Sequence, residues 1–209
     1  ITTIYLEEPE FWARAGYSEA FKKEWQKYYG YAWMPQHESP EATYLSSKLK
    51  YHLYFHALKE VFQYAKFYGE SKGIKVKCFV PTHSLLNYSS CQIVSPEARL
   101  AALPGMDGYI AQVWTGTSRE PVYFNGQKKE RVFENAFLEY GSMLSMTAPT
   151  GRKIYFLTDP IEDWPRTWDD YRQNYQATYT AELMYPSVDN YEVMPWPNRI
   201  YLGKFKVEG

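Results

Sequence analysis

The stretch Gly108-Tyr109-Ile110-Ala111-Gln112-Val113-Trp114 is almost unbroken in apolar and aromatic character and ends at Thr115-Gly116. A strand with one face in water alternates polar and apolar residues. A strand covered on both faces reads as a continuous apolar run, the pattern of a parallel sheet flanked by helices. Runs of the same kind occupy residues 2–6, 74–80, 153–157 and 191–194. Between them the apolar residues change to helical spacing. One helix is predicted over 18–29. A second starts at Ser39-Pro40-Glu41, an N-cap followed by proline at the first helical position. It carries Leu45, Leu49, Leu53, Ala57, Val61 and Tyr64 and is expected to stop before Gly69 or Gly73. A shorter helix begins at Ser95-Pro96-Glu97 and ends by Pro104-Gly105. Two more are predicted over 129–146 and 167–184, the last with Thr167 and Asp170 as a variant capping box.

Strand and helix in alternation mean βα units and a parallel sheet, an α/β fold. Two architectures share that pattern. A doubly wound sheet usually has a glycine-rich phosphate loop after its first strand. Here Glu7-Glu8-Pro9-Glu10 follows instead, which would repel phosphate. The remaining architecture is the (β/α)₈ TIM-type barrel, partial or complete, with functional residues just past the C-terminal strand ends. Five strands are too few to close one, and the chain's 209 residues fall below the typical ~250. The chain opens within a strand, without an initiator methionine. The whole of 1–209 is therefore read as a single domain, a slice covering about the last five βα units of a barrel. Its open edges call for a partner, either the rest of its own barrel or a second copy.

Composition narrows the function. Lys plus Arg number 23 and Asp plus Glu 24, for a net charge of −1, which argues against nucleic-acid or anionic-membrane binding driven by bulk charge. No apolar run reaches the roughly 18 residues of a membrane span. Two cysteines, Cys78 and Cys91, make neither a disulfide framework nor a cysteine-rich zinc site. Aromatic residues make up 19%, with 7 Trp and 21 Tyr, a supply that suits a cleft for flat hydroxylated ligands such as carbohydrate.

The strand ends carry the chemistry. The first is followed by Glu7, Glu8, Pro9, Glu10, Phe11 and Trp12, the second by Pro81, Thr82, His83 and Ser84. The third ends Gln112-Val113-Trp114, the fourth Thr158-Asp159-Pro160-Ile161-Glu162, and the fifth Met194-Pro195-Trp196-Pro197-Asn198. Carboxylates facing each other across a tryptophan-lined cleft are the minimum equipment for glycoside hydrolysis. One protonates the leaving oxygen, and the other attacks the anomeric carbon or activates water. One must stay protonated near neutral pH, which burial or a neighbouring like charge achieves. A lone acid after a strand more often caps the next helix or faces solvent. Glu7, Glu8 and Glu10 together repel unless they diverge, bind a cation, or meet Arg14, Lys22 or Lys23.

Leu6-Glu7-Glu8-Pro9 resembles the Asn-Glu-Pro motif on the fourth strand of the clan A (β/α)₈ glycoside hydrolases, whose Glu is the acid/base. The resemblance implies that Thr158-Asp159-Pro160 stands on the seventh strand, where the clan has its nucleophile, and that Trp196 on the eighth floors a sugar subsite. Two departures stand out. Glu7 replaces the clan's Asn, which loses an amide donor for the sugar 2-hydroxyl, and Asp159, with Glu162 beyond it, replaces a strand-end Glu. The resemblance implies Glu8 as acid/base, Asp159 as nucleophile and Glu162 as its substitute, with no cofactor and no metal. Glu7, Trp12, Trp114 and Trp196 would line the sugar site, with His83, Gln112 and Asn198 bonding hydroxyls.

Other constellations are plainer. His52 and His56 have the four-residue spacing of a two-histidine metal site, but no Glu follows His52, so a surface or half-buried pair is the simpler reading. Cys78 sits mid-strand as a small hydrophobe. Lys22-Lys23 and the 128–131 cluster read as solvated helix faces. The expected function is a glycosidase. The alternatives are a non-catalytic carbohydrate-binding protein on the same scaffold, or a metal-dependent barrel lyase or isomerase with Glu7, Glu8 and Asp159 as oxygen ligands.

Overall fold

A computed structural model of the chain describes residues 1–8, 10–119, 121–159 and 167–193. Its elements are β1 (Thr3–Tyr5), α1 (Glu19–Tyr29), α2 (Pro40–Ser71), β2 (Lys77–His83), α3 (Leu85–Ser90), α4 (Glu97–Leu100), β3 (Gly108–Trp114), β4 (Val122–Phe124), β5 (Gln127–Lys129), α5 (Val132–Thr147), β6 (Lys153–Asp159), α6 (Trp168–Leu183) and β7 (Tyr191–Val193). Five strands form one sheet in the order β1-β2-β3-β6-β7, and β1–β2, β3–β6 and β6–β7 pair parallel. The order follows the chain without reversal, whereas a doubly wound sheet reverses at its switch point. The fold is α/β with a five-stranded parallel sheet, as the apolar runs predict.

By its contacts the chain divides into two compact units, one of residues 1–80 and 88–107, the other of 81–87 and 108–209. In the first, α1 starts at Ser18, whose Oγ accepts the Phe21 N–H at 3.2 Å, and ends at Gly30 in the left-handed region. Its apolar face sets Phe21 and Trp25 against Leu49 of α2, ringed by Tyr29, Trp33, Met34, Leu45 and Leu53. The α2 N-terminus has the expected cap: Ser39 Oγ accepts from Ala42 N at 3.0 Å, with Pro40 at the first helical position. The helix does not stop at Gly69. It runs to Ser71 and ends before Gly73, the second of the expected stops; a Cβ at Gly69 would lie 2.6 Å from Val76 Cγ2, an approach that glycine permits. Lys50, buried on α2, donates to Gln36 Oε1 at 2.8 Å, and burial lowers its ammonium to about 8.

In the second unit, β3 and β6 pair along their length, from Gly108 with Lys153 to Trp114 with Asp159. Ala111, Val113 and Phe156 pack with Ala136, Tyr140 and Met143 of α5 and Ala181 of α6. Thr167 caps α6 by accepting from Asp170 N. Residues 122–129 correct the sequence reading. They form a β4–β5 hairpin around Asn125 and Gly126, both at positive φ, and α5 begins only at Val132. That dipeptide is a strong hairpin signal, and it outweighs the helical pattern read from Lys129 onward. No helix among the described residues is long and apolar enough to cross a membrane.

Candidate functional site

The loop after β1 holds the first group of expected residues. Leu6 N donates to Phe79 O at 3.1 Å, which carries the chain one residue past β1 along its neighbour. Glu7 and Glu8 are exposed, and Glu8 sits at φ 46°, a left-handed conformation unusual for a glutamate. Phe11 then pairs with Val94, with backbone bonds of 2.8 and 2.9 Å in both directions, and Trp12 is exposed. Between these anchors Glu10 is buried, and its carboxylate oxygen lies within 4.8 Å of one from Glu8.

A third carboxyl belongs to the same group. Glu97, the first residue of α4, is 1% exposed. Burial drives its pKa well above the ordinary glutamate range, the charge of Glu10 pushes it further, and a hydrogen bond with Tyr88 opposes. Tyr54 of α2 is raised by burial and by Glu10, and it hydrogen-bonds the Glu10 backbone. One acid of the cluster thus has its proton affinity raised, the direction a general acid needs. The sequence reading did not single out Glu97. After Ser95-Pro96 it looks like an ordinary acidic residue in a first helical turn, and nothing local reveals its burial.

The second group lies at the C-terminal ends of the strands in the other unit. His83 closes β2 and is half-buried, while Gln112 and Trp114 are half-buried on β3. Trp114 and Asp159 are register partners, the last residues of adjacent parallel strands. The pairing sets these two residues at the same end of neighbouring strands. Asn87 Nδ2 donates to Trp114 O at 3.1 Å, and the Trp114 indole folds back over Gly116, where no Cβ fits. Behind this edge, Thr115 Oγ1 donates to Asn174 Oδ1 at 3.1 Å. The Tyr140 hydroxyl meets Thr158 Oγ1 and Glu182 Oε2, each at 3.1 Å. Burial raises the Glu182 carboxyl, and its two hydroxyl partners oppose the shift. Glu162, Trp196 and Asn198 lie outside the described residues.

Arg119 is a buried cation that sequence reasoning passed over. Its guanidinium joins Glu130 Oε2 at 2.8 Å and also pairs with Asp170 of α6. Residues 128–131 are therefore no solvated helix face. Lys128 and Lys129 sit on β5, Glu130 holds Arg119, and Arg131 pairs with Glu134 at 2.6 Å. Comparison with family models, with curated proteins and with solved structures finds no match to this chain.

Proposed function

We propose that the chain is a glycoside hydrolase of the two-carboxylate type, working at the C-terminal rim of its parallel sheet on an oligo- or polysaccharide. The supporting observation is the acid cluster after β1. Glu8 stands beside Glu10, and the charge of Glu10 in turn adds to the raised proton affinity of Glu97. Burial and a neighbouring negative charge, which Glu10 and Glu97 combine, are what raise a carboxyl's proton affinity. The strand order without reversal and the pairing of Trp114 with Asp159 add to the reading.

The roles follow the motif resemblance. Glu8 donates a proton to the departing glycosidic oxygen and later withdraws one from water. Asp159 attacks the anomeric carbon or, in an inverting variant, activates the water, with Glu162 as its substitute. Trp114, Trp196 and Trp12 offer rings to sugar faces, and His83, Gln112, Asn198 and Glu7 bond hydroxyls. No cofactor enters this chemistry.

The test is hydrolysis of a panel of aryl glycosides and oligosaccharides by the wild type, Glu8→Gln and Asp159→Asn. Each variant is expected to lose about 10²–10⁴-fold in kcat/KM, the span for removing a general acid, while sugar affinity in equilibrium binding persists. Binding without turnover in the wild type would replace hydrolysis with carbohydrate recognition on the same scaffold. Turnover that chelators abolish would favour a metal-dependent lyase or isomerase.

A further inference from the structure

We propose that His52 and His56 form a binding site for a divalent transition-metal ion of borderline softness, zinc, nickel or copper(II), held by two imidazoles with its remaining positions open to water or an added ligand. The site is separate from the acid cluster and does not depend on the glycosidase reading. Both histidines lie within α2, a continuous 32-residue helix, four positions apart and therefore one turn above the other on one face. Their ring centroids are 4.2 Å apart with planes inclined at 47°. Neighbouring rings fence them. Tyr28 lies 4.6 Å from His52, and Phe55 stands edge-on to His56 at 5.7 Å. Restricting the imidazoles beforehand lowers the entropy lost when a metal bridges them.

Among the described residues neither ring has a hydrogen-bond or ion-pair partner, so both can turn a nitrogen to a metal. His52 is half-buried and His56 exposed, which leaves a path for an ion from solvent. Metal binding needs neutral imidazole. Arg99, whose guanidinium lies 3.9 Å over the Phe55 ring, is the opposing charge. It disfavours a proton and a dication alike, so coordinate bonds must supply the affinity. Imidazole suits zinc, nickel and copper, and copper(II) should bind tightest.

The experiment titrates the full chain with copper(II), nickel and zinc chlorides by calorimetry, and records the electron paramagnetic resonance of the copper(II) form. Expected is one site whose spectrum shows coupling to two imidazole nitrogens. It should be lost in His56→Gln and in His52→Gln and kept in His37→Gln and His83→Gln. His56 is exposed, so its variant should keep the wild-type circular dichroism and carry the test if His52→Gln misfolds. Unchanged binding in His56→Gln, or no binding by the wild type, would overturn the site.

Discussion

At the scale of single residues, the placement of charge sets what can be measured. Glu97 titrates higher in the folded chain than in the unfolded one. Between those two values the folded state binds more protons, so stability falls as pH rises through that window, and the full penalty is present above it. Glu97→Gln keeps an acceptor for Tyr88 and removes the charge. Urea unfolding at neutral pH should therefore show a gain of about 1–3 kcal/mol, the scale of relieving a buried polar group. At pH 4 the difference should shrink, since Glu97 in the unfolded wild type is then mostly protonated. A variant less stable than the wild type at pH 7 would mean that Glu97 is ionised and held by its partners. Glu97 also marks where reading the sequence runs out. Glu7, Glu8, Trp114 and Asp159 are visible because they follow apolar runs. Glu97 and Arg119 draw their significance from burial among residues distant in the chain, and no local pattern encodes that.

Elements were legible where period and capping agree. Ser39 and Thr167 each cap the helix they announce, as Ser18 caps α1, because a side-chain oxygen placed three residues before an unsatisfied N–H needs only local geometry. β3 matches its apolar run end to end. The misses have a common cause in spatial neighbours. β2 begins at Lys77 and extends through Pro81 to His83, beyond the apolar run that revealed it. α2 passes Gly69, where Val76 occupies the vacant Cβ position, and ends before Gly73, the other expected stop. Gly69→Ala places its methyl 2.6 Å from Val76 Cγ2 and 2.7 Å from the Ile74 carbonyl oxygen, and a backbone atom cannot swing aside. Helix propensity alone would make alanine better here by roughly 1 kcal/mol. Overpacking costs about 1–3 kcal/mol, and with backbone among the clashing atoms it should prevail. A lowered thermal midpoint is the expected readout, and a raised one would show that the 72–76 turn can retreat.

Across the whole molecule, the two compact units are not consecutive pieces of chain. The path leaves the first after Val80, returns at Tyr88 and leaves again after Asp107, and β2 divides its residues between them. Each unit nevertheless has a buried cluster of its own, Phe21, Trp25 and Leu49 in one and Tyr140, Met143 and Phe156 among others in the second. Separate cores favour separate unfolding, whereas a shared strand opposes it, because losing either unit strips part of β2 of its hydrogen-bonding company. Chain connectivity should prevail, and urea should unfold the protein in one transition seen alike by far-ultraviolet circular dichroism and tryptophan fluorescence. Leu49→Ala and Met143→Ala, both fully buried positions, then each move that same transition to lower urea, with a loss of about 2–5 kcal/mol in stability. Having no shared neighbours in their clusters, they should add to within roughly 0.5 kcal/mol in the double variant. Two transitions, one moved only by Leu49→Ala and the other only by Met143→Ala, would show that the divided strand does not couple the units.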